Sequence, residues 1–188
     1  ITTAQGVIFN HSLKELQKME VFCDRDRSIP TGRISTLEEI LETIAGRIGL
    51  EIEIKGPEPE APQLIGQILN RYKHLWGSFE ITSYEPALLL AIRDVCPGIT
   101  VDLLYPRTEI WKGQEVILHE ALHLSRLARA RAVHLHPTQV SAEMVATLKG
   151  KGIETHAWDV NDVDSLAFMT AIGVPKICTD EFRMAQAY

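Results

Sequence analysis

Leu50-Glu51-Ile52-Glu53-Ile54-Lys55-Gly56-Pro57 is the stretch on which the reading of this chain turns. It has the pattern of a short β-strand that runs into a Gly-Pro turn. Strand side chains alternate between faces, so Glu51, Glu53 and Lys55 share one face while Ile52 and Ile54 share the other. Carboxylate, carboxylate and ammonium on one face of a buried strand require partners, because unpaired buried charge is costly. A ring of parallel strands offers them: at the C-terminal mouth such charges can meet a metal or a phosphate. The plainer alternative is an exposed strand carrying a solvated Glu/Lys ladder.

Beyond this strand the chain alternates between two periods. Gln63–Trp76 carries Leu64, Ile65, Ile68, Leu69 and Tyr72 at helical spacing, and Ser78–Ser83 has strand character. Glu85-Pro86 opens a helix that ends before Pro97-Gly98, and Ile99–Tyr105 is a strand. A long helix over Gln114–Arg131, a strand at Ala132–Leu135 and a helix over Ser141–Lys151 come next. Ile153–Val160, Asp162–Ile172 and Pro175–Thr179 complete the series as strand, helix and strand. Strand and helix in strict alternation with short connections require right-handed crossovers and a parallel sheet. About six strands suit a doubly wound sheet or a (β/α)8 barrel short of strands. Neither GxGxxG nor a P-loop follows any strand. Before the central strand, Ser12 with Glu15 and Ser35 with Glu38 are capping-box patterns. They predict helices over Leu13–Met19 and from Leu37 to Gly49, with a charged loop over Val21–Arg33.

In a barrel, chemistry gathers where strands end. Here those positions hold Glu53 and Lys55, Ser83 and Tyr84, Tyr105, His134 and His136, Trp158, Asp159 and Asn161, then Thr179 and Asp180. Each also has a structural role available: Trp158 as core, His136 as a turn contact before Pro137, Thr179-Asp180 as a helix cap. A separate motif, His119-Glu120-Ala121-Leu122-His123, is an HExxH. Two histidines four residues apart on a helix share a face and can bind zinc, with the glutamate as base. Glu143 is the candidate third ligand, and a zinc peptidase is therefore an alternative function. The alternative for the motif is a pair of histidines on an outer barrel helix.

The 188 residues carry a formal net charge of −6, with 45% hydrophobic and 23% charged residues. That suits one globular domain over 1–188 with a substantial core. An acidic balance argues against nucleic acid as a partner, while leaving room for a small phosphorylated ligand. Three cysteines without metal spacing point to a reducing, cytoplasmic setting, and no apolar run has the length of a membrane span.

Several segments together resemble the glycerophosphodiester phosphodiesterase family, whose fold is a TIM barrel. Ile34–Leu41 is similar to the family's IPTLEEVL segment and Leu50–Lys55 to its LNIEIK strand. Ile81-Thr82-Ser83-Tyr84 is similar to ISSF, Trp158-Asp159-Val160-Asn161 to WTVN, and Ile177-Cys178-Thr179-Asp180 to IITD. These fall in the family's order across residues 34–180. The resemblance implies hydrolysis of a glycerophosphodiester to glycerol 3-phosphate and an alcohol, with a divalent cation, Ca2+ or Mg2+. It implies Glu53 as a metal ligand, Lys55 as a phosphate contact and Trp158 in the glycerol pocket, with Ser83, His136 and Asn161 as further pocket candidates. A hard cation prefers carboxylate oxygens, and a phosphodiester needs its charge neutralised in the transition state.

The chain also departs from the family. Its His-Arg-Gly strand, Glu-x-Asp strand and His-Asp pair, which carry both catalytic histidines and the other metal carboxylates, do not occur in these residues. Ile1–Gly6 is similar to the segment after the His-Asp pair, and Ser12–Leu16 to the helix next to it. Ser35, Tyr84 and Asp159 stand where the family has proline, phenylalanine and threonine. The expectation is a TIM (β/α)8-type barrel incomplete at its N-terminus. It should be inactive by itself as a hydrolase, the activity belonging to the parent enzyme; the alternative function is a non-catalytic barrel remnant or phosphoester-binding module. An oligomer would cover its open sheet edges.

Overall fold

The computed structural model describes residues 2, 5–24, 26–56, 58–108 and 111–188. They form two compact units, Ile1–Ile48 and Gly49–Tyr188.

The first unit is built from short elements. Ser12 caps α1 (Leu13–Leu16) through the capping box expected of it, with Glu15 reaching back to the Ser12 N–H at 2.8 Å. The predicted loop over Val21–Arg33 instead begins and ends in a two-residue antiparallel ladder, β1 (Glu20–Val21) with β2 (Gly32–Arg33). The cap of α2 (Leu37–Ile44) is Thr36 with Glu39, one residue later than Ser35 with Glu38. Arg33 explains the shift, because it binds Glu39 at 2.5 Å and so holds that carboxylate at the helix start. The helix stops at Ile44 rather than Gly49, since Ala45 turns extended and Gly46 takes φ +78°, a conformation glycine adopts without steric cost.

In the second unit the predicted alternation is present throughout, with ends shifted by a few residues. Strand β3 (Leu50–Glu53) leads to α3 (Ala61–Asn70), β4 (Phe79–Ser83), α4 (Pro86–Val95) and β5 (Thr100–Leu104). Next come α5 (Gln114–Ala128), β6 (Ala132–Leu135), α6 (Ala142–Gly150), β7 (Glu154–Ala157), α7 (Val163–Ala171), β8 (Lys176–Ile177) and α8 (Phe182–Ala187). The helix expected over Gln63–Trp76 ends at Asn70, and Lys73–Ser78 continues as 3-10 turns. The six strands pair in parallel in the order β3-β4-β5-β6-β7-β8, as right-handed crossovers between consecutive strands demand.

This sheet curls. In a flat sheet, five steps of about 4.8 Å would hold β3 and β8 roughly 24 Å apart. Lys176 of β8 nevertheless reaches Glu51 of β3 at 2.6 Å and also binds Glu80 of β4. The expected barrel-type sheet is therefore what forms, and the doubly wound alternative is not. Strand alternation then sorts the side chains. Ile81, Val101, Leu103, Val133 and Leu135 are buried on the face covered by helices. Glu51, Glu80, Asp102, His134 and His156 share the inner face. Among the described residues, no helix is long and apolar enough to cross a membrane.

Candidate functional site

At the C-terminal rim of the strands, Glu53 and Lys55 project side by side. Lys55, two residues on from Glu53 and just beyond the end of β3, places its Nζ 2.6 Å from Glu53 Oε2, as two-residue spacing along an extended backbone predicts. The Glu53 side chain is 25% exposed and that of Lys55 78%, so the carboxylate is partly sheltered while the ammonium reaches solvent. Tyr84, at the end of the next strand, has its phenol pKa raised, first by burial and then by Glu53, with Lys55 opposing and Asp159 adding. Those influences place Tyr84 and Asp159 on the rim with Glu53 and Lys55.

Across the rim, His136 and Trp158 meet edge to face, with ring centroids 5.5 Å apart. The Trp158 indole N–H donates to the His134 carbonyl at 3.2 Å, which fixes the ring over the end of β6. His136 Nδ1 is 2.8 Å from the Thr138 hydroxyl. Burial and then Arg107 lower the His136 pKa, against Asp159, so the ring favours the neutral form. Asp159 acts on both Tyr84 and His136 and so links the two halves of the rim. It takes φ 61°, a left-handed conformation uncommon outside glycine, which turns the chain directly after Trp158.

The remaining predicted residues are placed differently. The Asn161 side-chain oxygen accepts from the Asp180 N–H at 2.8 Å and the Thr179 hydroxyl at 3.0 Å, tying the end of β8 to the turn after β7. Thr179 in turn accepts from the Glu181 N–H at 2.9 Å, where α8 begins. The Ser83 hydroxyl is fully buried, donating to the Ile54 carbonyl at 2.8 Å and accepting from the Glu85 N–H at 3.1 Å. Tyr105 points to the helices, where its phenol binds Glu120 of α5. His119 and His123 lie exposed on α5, and Glu120 between them is paired with Lys112 at 2.7 Å. Among the described residues, the groups of three candidate metal ligands include neither histidine of that motif.

Beneath the rim lies a second tier, in which Glu51 and His134, singled out by sequence, are joined by residues that were not. Two residues below Glu53, His136 and Trp158 on the same strand faces are Glu51, His134 and His156, about 6.6 Å deeper. Asp102 and Lys176 complete the tier, with Arg131 and Glu80 at its lower edge. Arg131 binds both oxygens of Asp102 and reaches Glu80 at 2.8 Å. Burial alone would raise the Asp102 carboxyl pKa, but hydrogen bonding from His134 and Arg131 outweighs it and the value is lowered. Burial depresses the His156 pKa, and His134 adds to that. The legible signal was polar residues at inward positions of apolar strands, Asp102 in Val-Asp-Leu and His156 in Thr-His-Ala.

Comparison with known proteins agrees with this architecture. YhdW of Bacillus subtilis (strain 168), a candidate glycerophosphodiester phosphodiesterase, is 28% identical over 185 residues, covering 95% of this chain and 72% of that protein. Among solved structures, a candidate glycerophosphoryl diester phosphodiesterase from Silicibacter pomeroyi superposes with a TM-score of 0.81 at 20% identity, over 100% of this chain and 70% of its own. An Oleispira antarctica phosphodiesterase, solved with its product sn-glycerol-3-phosphate, gives a TM-score of 0.73 at 20% identity, over 99% and 73%. The sequence profile of the glycerophosphoryl diester phosphodiesterase family matches residues 1–184, across both compact units, and the chain belongs to that family of phosphoric diester hydrolases.

Proposed function

We propose that this chain carries the phosphate-facing rim of a metal-dependent hydrolase of glycerophosphodiesters, which yields glycerol 3-phosphate and an alcohol. The observation that carries the proposal is the Glu53–Lys55 pair, a half-sheltered carboxylate beside a solvent-reaching ammonium at the C-terminal end of a parallel strand. A carboxylate oxygen suits a hard divalent cation, Ca2+ or Mg2+, and Glu53 is the residue that would hold it here. When bound, that cation supplies charge neutralisation at a phosphodiester oxygen. Lys55 binds a second phosphoryl oxygen as a point charge on a flexible stem. Trp158 offers an apolar ring face to the glycerol carbons, and its T-shaped contact with His136 keeps that ring in place. Ser83 and Asn161 shape the pocket by securing the chain beside it, Ser83 at the ends of β3 and β4 and Asn161 after β7.

The family's His-Arg-Gly, Glu-x-Asp and His-Asp motifs do not occur in these 188 residues. Binding without turnover is therefore expected of this chain, because general acid–base groups for the leaving alcohol are not supplied. Calorimetric titration of glycerol 3-phosphate should show saturable binding that strengthens with Ca2+ or Mg2+. Glu53→Gln should remove the metal dependence, and Lys55→Met should weaken binding by roughly tenfold or more, as loss of a charge-assisted phosphate contact does. No binding in either metal would overturn the proposal. Metal-dependent release of glycerol 3-phosphate from glycerophosphocholine by this chain would overturn the expectation of no turnover.

A further inference from the structure

We infer that Asp102, His134 and His156 form a second metal site, inside the sheet and one tier below the phosphate-facing rim, which binds a zinc-class divalent ion. His134 Nε2 and His156 Nδ1 are 3.0 Å apart, and Asp102 Oδ2 lies 3.5 Å from the first and 3.6 Å from the second. Two ligand atoms about 2.0–2.1 Å from a tetrahedral ion are separated by about 3.3 Å. The three edges of this triangle bracket that value without any movement of the backbone. Two imidazoles and one carboxylate are also the donor set that prefers zinc over calcium or magnesium. The three residues are at most 2% exposed and come from consecutive strands, β5, β6 and β7, which hold them rigidly.

The surroundings are those of a ligand set. The far nitrogen of His156 lies 3.2 Å from Glu154 Oε2, the carboxylate–histidine arrangement that orients a metal-binding ring. Asp102 Oδ1 accepts from the Ala132 N–H at 3.1 Å and from Arg131 Nε at 3.2 Å, which fixes the carboxylate plane. His134 Nδ1 faces Glu51 at 3.8 Å. Thr82 pairs in register with Asp102 on the neighbouring strand and so shares its face. Its hydroxyl is fully buried without a hydrogen-bond partner, and a metal-bound water would provide one.

Charge balance favours the same conclusion. The network joins four carboxylates, Glu51, Glu80, Asp102 and Glu154, to two cations, Arg131 and Lys176. Among the described residues of this network the carboxylates outnumber the cations by two, an excess that one divalent ion would balance. Coordination takes His134 Nε2 and His156 Nδ1, which leaves the other nitrogen of each ring to carry its proton, His134 Nδ1 toward Glu51 and His156 Nε2 toward Glu154. Arg131 also donates to Asp102 Oδ2, and its charge opposes the ion. Glu80 offsets that by sharing the same guanidinium at 2.8 Å. A cavity of about 410 Å³ at the lower end of the strands, lined by Glu51, Glu80, Arg131 and Lys176, gives a polar approach.

The test uses the whole chain, stripped with chelator and reconstituted with Zn2+ or Co2+. One tightly held zinc per chain is expected by elemental analysis. The Co2+ form should show the intense visible absorption of tetrahedral nitrogen–oxygen coordination. His134→Gln and His156→Gln should each lower zinc affinity by more than 100-fold, and Glu154→Gln by about tenfold, as loss of an orienting partner does. Glu53→Gln and His119→Gln should leave the stoichiometry unchanged, which separates this site from the rim and from the helical histidine pair. Absence of zinc from the reconstituted chain overturns the inference, as does zinc retained in both ligand variants. If those variants fail to fold, the Co2+ spectrum of the unaltered chain decides: a weak octahedral spectrum or none overturns it. Glycerol 3-phosphate binding reads the rim independently, so failure of either site leaves the other standing.

Discussion

Tyr105 shows how far one side chain can be displaced from its solution chemistry. It is 2% exposed, donates its phenol proton to Glu120, and lies 3.5 Å from Lys112 Nζ. Burial first, and Glu120 second, push the phenol up to about 12, with Lys112 opposing. A raised value means that the folded chain holds the proton more tightly than the unfolded one. The resulting stabilisation is complete below about pH 10, the ordinary tyrosine value, and fades as pH rises through about 12. Ultraviolet titration should therefore show one tyrosine ionising near pH 12. Tyr105→Phe should abolish that step, and Glu120→Gln should move it down. A titration unchanged by Tyr105→Phe would refute the assignment. The same contact leaves the glutamate of the HExxH engaged by a phenol and an ammonium.

At the scale of elements, α3 packs tightly against α4, and Gly66 permits it. A Cβ at Gly66 would lie 2.9 Å from Val95 Cβ, closer still to Val95 Cγ1, and 3.4 Å from Cys96 Sγ. Valine is stiff at χ1 and cannot swing aside cheaply. The Gly66 carbonyl also accepts from Asn70 Nδ2 at 2.9 Å, so the helix is held where the clash occurs. Ordinarily Gly→Ala in a helix interior gains up to about 1 kcal/mol. Overpacking costs about 1–3 kcal/mol and wins here. Gly66→Ala should lower the denaturation midpoint at unchanged slope, and relief by Val95→Ala in the double variant would show that the two side chains collide. A stabilised Gly66→Ala would refute the packing argument.

Over the curled sheet as a whole, the Lys176 side chain connects the first and last strands. Lys176 binds Glu51 and Glu80 from the far edge, and Arg131 continues the chain of charge to Asp102. Lys176→Met keeps the stem and removes the charge, leaving two carboxylates facing each other. Breaking a fully buried pair costs about 3–5 kcal/mol, but Lys176 is 32% exposed and Glu51 26%, so solvent screens part of this. A loss of about 1–2 kcal/mol is expected, detected as a lower melting temperature that partly recovers at high salt. No change would mean that backbone pairing alone sets the curvature.

The parts legible beforehand were those set by local periodicity. The βα alternation, the parallel sheet and the Glu53–Lys55 pairing all arise from spacing along a few residues, and the structure places them as expected. The differences were equally local: α2 stops at Ile44 rather than Gly49, and its cap is Thr36, because Arg33 and the positive φ of Gly46 outweigh a pattern match. His134 illustrates what was not legible. Read as a strand end, it lies within β6 and faces His156 and Asp102, which are 22 and 32 residues away in the chain.

By itself the sequence determined the order of strands and helices, since hydrophobic period and turn chemistry act over a handful of neighbours. It also determined which faces of each strand would be polar, because alternation is a property of the extended backbone. Only the tertiary structure decided which polar faces meet. Curling brings β3 and β8 within side-chain reach of each other and turns the inward side chains of β5, β6 and β7 toward one another, and the separations that make an ion pair or a metal site are distances in space. Sequence spacing carries no information about them until the sheet has curled around its interior.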